Sequence, residues 1–108
     1  MNKELVNVLK ENISVKEDKL VEKDVAIKNL SFLQLRDAIW MIGRVIVEQE
    51  NNNIYIAAIK SSKMLGNTAY LAIKLLPERL EIVGYAEEGL FNQNTVEKAI
   101  LRLEGVLK

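Results

Sequence analysis

The residues between positions 60 and 74 carry the clearest chemical pattern in the chain. From Asn51 to Pro77 there is no acidic side chain, yet Lys60, Lys63 and Lys74 fall in this stretch and Arg79 lies just beyond it. Ser61, Ser62, Asn67 and Thr68 are interleaved with the lysines, and Tyr70 sits at the start of the second apolar run. Lysines neutralise phosphates, and hydroxyl and amide groups add neutral hydrogen bonds to the sugar-phosphate chain. On a β-hairpin such a set can lie along a nucleic-acid backbone or enter a minor groove. The expected contact residues are Lys60, Ser61, Ser62, Lys63, Asn67, Thr68, Tyr70 and Lys74. Met64 and Leu65 at the tip add an apolar pair that is costly unless something packs on it. The plain alternative is a solvated loop with an ordinary lysine count, and it accounts for the same residues.

A second pattern surrounds Trp40, the single tryptophan. Leu33, Trp40 and Val47 recur every seven positions and form a narrow apolar stripe, bordered by Arg36, Gly43 and Arg44. Tryptophan beside arginine is the composition of an interface anchor, and glycine next to it leaves room for a second backbone. The expected interface is therefore Leu33, Arg36, Trp40, Gly43, Arg44 and Val47, engaging either a sister subunit or a larger protein partner. Residues 3–13 are the alternative cover for this stripe within the chain.

Catalysis finds little to work with. The chain has no cysteine and no histidine, which removes thiolate nucleophiles, imidazole bases and most transition-metal ligation. The five glycines are scattered singly and none opens a phosphate-binding loop before a helix. Ser61-Ser62-Lys63 reads as a loop tripeptide with nothing to depress the lysine. The acid pairs Glu87-Glu88 and Glu22 with Asp24 lack the further oxygen ligands of a cation loop. The expectation is a non-enzyme without cofactor or metal.

The elements that must position these residues follow from periodicity. In 108 residues there is room for one domain, 1–108. Residues 3–13 predict a short amphipathic helix with Asn2 as cap. The charged stretch from Ser14 to Asp24 reads as a solvated connection or a loose hairpin, and Val25 to Lys28 as an edge strand. Ser31 with Gln34 makes a capping box, after which Phe32, Leu35, Ala38, Ile39, Ile42, Val45 and Ile46 share one helical face. That spacing predicts one long helix from Ser31 to Glu50, continuous through Gly43. Asn51-Asn52-Asn53 stops it. Ile54 to Lys60, Ala69 to Leu76 and Leu80 to Tyr85 then alternate as strands of a three-stranded antiparallel meander, packed on the long helix. Gly84 reads first as a bulge or twist point in the last strand, and alternatively as a place where a helix and the sheet approach closely. Asn94 with Glu97 predicts a capping box for a C-terminal helix carrying Val96, Ala99, Ile100, Leu103 and Leu107.

The expected fold is α+β: helix, edge strand, long central helix, three-stranded meander, helix. This order resembles both winged-helix-like DNA-binding domains and the roadblock-like two-layer dimerisation modules, in architecture only and without a shared motif. Fifteen basic and fifteen acidic residues cancel, so no overall field draws the molecule to polyanions. The charged N-terminus has no secretory pattern and no apolar run is long enough to span a bilayer, which predicts a cytoplasmic protein off the membrane. Its Asn, Lys, Ile and Glu usage hints at an AT-rich bacterial or phage source. The first functional reading is a small homodimeric DNA-binding accessory or regulatory protein that uses the basic β-wing. The alternative is a protein–protein adaptor or assembly subunit that uses the Trp40 stripe and the sheet edge.

Overall fold

The computed structural model describes residues 1–64, 66–88 and 93–108. Its described elements are α1 (Lys3–Asn12), β1 (Val21–Ala26), α2 (Phe32–Ile42), β2 (Gly43–Gln49), β3 (Ile54–Lys60), β4 (Thr68–Leu75), β5 (Arg79–Tyr85) and α3 (Thr95–Leu107). The strands form one five-stranded sheet in the order β1-β5-β4-β3-β2, antiparallel throughout. The α+β class and the β3-β4-β5 meander agree with the sequence pattern, but the sheet has five strands rather than the four expected.

The extra strand comes from the expected long helix, which ends at Ile42. Gly43 to Gln49 pairs with β3 as an edge strand, with a bulge at Ile46 between Val45 and Val47. The helical spacing of Val45 and Ile46 behind Ile42 misled, because α2 passes into β2 with no loop and no turn residue between them. The local chemistry favours the strand: Val45, Ile46 and Val47 are a β-branched run, which pays more for helix than for sheet. Gly43 is required at the junction. A Cβ there would lie 2.2 Å from the Ala58 carbonyl oxygen. Its role is therefore close approach to β3 within the chain, not room for a second molecule.

At the N-terminal side, β1 begins at Val21, so the last four residues of the expected connection 14–24 are strand. Glu22, Lys23 and Asp24 are exposed along it, while Val25 is buried. An edge strand tolerates this charge because only one of its sides is hydrogen-bonded, and the charge discourages pairing with a further chain. The far edge, β2, carries the bulge, a second device of the same kind.

Helices cover both faces of the sheet, so the domain has three layers rather than two. On one face, α2 and α3 bury Leu35, Ala38, Ile39, Val96, Ala99, Ile100 and Leu103 against Tyr55, Ala57, Leu71, Ile73 and Ile82. On the other, α1 buries Leu5, Val8 and Leu9 against Ile54, Ile56, Ala72, Val83 and Tyr85. This double cover explains why Ile54–Ile59 reads as an unbroken apolar run and is buried at every position. Gly84 is no bulge. A Cβ there would meet Val96 Cγ1 at 2.5 Å and Leu71 Cδ2 at 2.7 Å, so glycine lets α3 settle onto β5.

Caps and turns complete the frame. Asn2 accepts from the Leu5 amide at 3.1 Å, and Ser31 with Gln34 forms the expected capping box. Asn53, in the left-handed region at φ 56°, reverses the chain into β3, a conformation asparagine accepts readily. The Tyr55 hydroxyl donates to the Phe32 carbonyl at 2.7 Å and its ring stacks on Phe32 at 4.1 Å, which pins the start of α2 to β3. Burial first, and then Glu48, push the Tyr55 phenol up, so it stays a donor across the accessible pH range.

Candidate functional site

Strand register divides the expected nucleic-acid residues. Lys60 closes β3 opposite Thr68, which opens β4. Around the turn between them, the Ser61 amide donates to the Asn67 carbonyl at 2.9 Å. The Asn67 side chain reaches Gln93 at 2.8 Å, and Arg102 of α3 donates to the Lys60 carbonyl at 2.7 Å. A Cβ on Gly66 would lie 2.5 Å from Ser61 Oγ, so the tip is folded tightly on itself. Lys60, Ser61, Ser62, Lys63, Asn67 and Thr68 therefore do share one end of the sheet. Lys60 and Lys63 are exposed there and form no ion pair among the described residues. Met64 is exposed beside them, whereas Leu65, the other half of the expected apolar tip, lies outside the described residues.

Lys74 and Tyr70 leave this group. Lys74 pairs with Ile54 at the opposite end of β4, about 20 Å from Thr68 at the usual rise of a strand. There it forms an ion pair with Glu4 of α1 at 2.5 Å, which ties the helix to the sheet. Tyr70 packs half-buried in the cluster beneath α1, opposite Ala58 and Tyr85. Arg79 is likewise engaged, at 3.1 Å from Glu81 and 3.8 Å from Asp24. The residue that sequence reading missed is Arg102. Its partners are backbone carbonyls, which leave no trace in residue types.

The Trp40 stripe is also divided. Leu33 and Trp40, both 56 % exposed, and Met41, 72 % exposed, share the outer side of α2. Arg36 borders them and lies 3.7 Å from Glu48 of β2. Gly43, Arg44 and Val47 belong to β2 instead, with Arg44 exposed and Val47 half-buried against the α1-side cluster. Helix α1 cannot cover Leu33 and Trp40, because the sheet stands between them; of the stripe only Val47 lies on its side. Of the six exposed large apolar side chains among the described residues, Leu33, Trp40, Met41 and Leu101 lie on α2 and α3. The outer surface of that helical layer is thus where apolar area is left over, and Met41 and Leu101 are the members that the seven-residue spacing did not select.

The acids fill structural posts. Glu22 accepts from the Asn2 amide at 2.6 Å, and Glu81 accepts from its side chain at 2.9 Å. Glu88 accepts from the Thr95 amide at 2.8 Å and the Gln93 amide at 3.1 Å, taking the post expected of Asn94 at the start of α3. Asn94 adopts the left-handed region at φ 53° and its side chain makes no cap hydrogen bond. Glu88 is held below the usual carboxylate range, chiefly by the Thr95 hydroxyl; burial opposes this, and the Thr95 and Gln93 amides and the charge of Lys19 add to the lowering. The hydroxyl falls short of full hydrogen-bond alignment, so the amides carry the geometry. Among the described residues, no group of three or more acids is placed to hold a metal ion.

An open groove of about 780 Å³ lies between the β1–α2 connection, the Pro77-Glu78 turn and the end of α3, lined by Ile27, Leu30 and Leu107. It contains none of the expected contact residues. No helix among the described residues is long and apolar enough to cross a membrane. Comparison with protein-family models, with curated proteins and with solved structures finds no match. The surfaces themselves are what speaks to function.

Proposed function

We propose that this chain is a non-catalytic protein-binding module of the cytoplasm that works through the outer surface of α2. The observation that carries the reading is the exposure of Leu33, Trp40 and Met41 on one helix whose other side is fully engaged in the core. Apolar side chains scattered singly are ordinary on a protein surface, but a tryptophan grouped with two large aliphatic neighbours is the make-up of a binding centre. The sheet edges contribute less than the sequence suggested, since charge on β1 and the bulge in β2 both oppose strand addition. This narrows the adaptor reading from stripe plus edge to the helix alone, closer to the roadblock-like than to the winged-helix-like alternative.

Incorporation of a photo-crosslinking residue at position 40, with position 11 on α1 as control, tests the reading in cells. Adducts at 40 that are absent at 11 support it; equal or no adducts overturn it.

A second reading keeps the hairpin as a DNA-binding wing, favoured by Lys60 and Lys63, which are exposed and form no ion pair among the described residues. In that case Lys60→Ala with Lys63→Ala weakens binding alike across sequences and lowers the salt slope by about one to two units. A wild type that binds no duplex at low salt removes this reading.

A further inference from the structure

The placement of charge on α2 identifies an occupant for its surface. At about 100° per residue, Leu33 and Trp40 lie nearly in line, with Arg36 about 50° to one side and Asp37 about 50° to the other. Asp37 is exposed and has no partner among the described residues. Arg36 has Glu48 at 3.7 Å, a loose pair that leaves most of its five donors unused. One helix thus presents two apolar anchors between a basic flank and an acidic flank at the same height.

That pattern is complementary to itself. Resting on the reading of α2 as a protein-binding surface, we propose that the partner is a second copy of this chain, with the two α2 helices packed side by side and parallel about a two-fold axis. Leu33 meets Leu33 of the second copy, Trp40 meets Trp40, and each Arg36 crosses to Asp37 of the other chain. A two-fold axis along the helices brings opposite flanks together. The antiparallel arrangement brings like flanks together, setting Arg36 against Arg36 and Asp37 against Asp37, and is disfavoured on charge alone.

The area available sets the strength. A stable interface buries about 800 Å² per partner, whereas a patch of three or four side chains offers on the order of a few hundred Å². Association is therefore weak, in the micromolar to sub-millimolar range, with the charges fixing register and direction more than affinity.

Sedimentation velocity of the purified full chain tests this with two opposed charge variants. Asp37→Arg makes both flanks basic, and Arg36→Asp makes both acidic. Each variant alone is expected to associate about tenfold or more weakly than the wild type, while an equimolar mixture regains dimer because each basic flank now faces an acidic one. Circular dichroism of each variant confirms that the fold is kept. The chain has no cysteine, so Leu33→Cys gives a clean orientation test: oxidation links position 33 to itself in the parallel dimer, and does so faster than Met64→Cys on the hairpin. A wild type that stays monomeric to about 0.5 mM overturns the proposal, as does a dimer indifferent to the charge variants or a mixture that fails to recover. If crosslinks at position 40 then still reach other proteins, the binding surface stands and only its occupant was wrong; if they too are absent, both fall.

Discussion

Helices α1 and α2 are nearly equal in length and both lie across a face of the same sheet, yet they finish differently. In α1 the apolar residues Leu5, Val8 and Leu9 are all buried, and the outer side is Lys3, Glu4, Asn7, Lys10 and Glu11. Its polar residues are used as well: Glu4 holds Lys74, Lys10 holds Glu17, and Asn2 reaches β1 and β5. In α2 the inner side is just as well buried, but Leu33, Trp40 and Met41 remain outside and Asp37 has no partner among the described residues. One helix has spent its apolar surface within the chain, and the other has some left. Since burying a large apolar side chain is worth about 1.5–3 kcal/mol, that difference is what the binding role proposed for α2 rests on.

The comparison is broken most directly by matched truncations. Leu9→Ala removes a fully buried side chain and should cost about 2–5 kcal/mol in denaturant unfolding, whereas Leu33→Ala should stay within about 0.5 kcal/mol in the monomer. Equal losses would mean that the outer side of α2 is packed after all. Next in size is the junction that ends α2. Gly43→Ala forces a methyl group against the Ala58 carbonyl and should cost about 1–3 kcal/mol by overpacking, read as a lower unfolding midpoint; a neutral result would move the helix boundary.

The smallest effect concerns the start of α3, where Glu88 accepts from the Thr95 amide. Glu88→Gln should cost up to about 1 kcal/mol at neutral pH, in the range of helix-capping side chains. The sign with pH follows from the lowered pKa. The contribution of the carboxylate is complete above its unfolded value of 4.5 and is lost as pH falls through the lower folded value. Wild type and Glu88→Gln should therefore converge in stability on acidification below the unfolded value, and a gap that does not narrow at all as the pH falls would show that charge is not what Glu88 contributes.

Much of this frame was legible in the sequence. Asn2 and Ser31 mark helix starts because caps are local chemistry, and Val96 to Leu107 mark α3 because one side of it is buried. The errors fall where a local signal was silent or double. Ile42, Val45 and Ile46 keep helical spacing across a boundary that has no loop, so periodicity ran on where β-branching and Gly43 indicated a strand. Glu22 to Asp24 looked like a solvated link because an edge strand may be charged. Lys74 looked free because its partner, Glu4, is far away in sequence. Of the candidate surfaces, Trp40 and Leu33 were visible as a second stripe, and Met41 and Leu101 emerge only once the buried side of each helix is known.

The complete burial of β3 has a consequence outside the folded state. Ile54-Tyr55-Ile56-Ala57-Ala58-Ile59 is uncharged, rich in β-branched and aromatic residues and free of proline, the profile of a segment that stacks into cross-β fibrils when released. In the native sheet it is sealed on all sides, by β2 and β4 along its edges and by helices above and below. During synthesis it emerges before β4 exists to pair with it. Asn51-Asn52-Asn53 and Lys60, which bracket it, then serve as gatekeepers, placing polar groups and a charge at the two ends of a window that must stay soluble until the rest of the chain arrives.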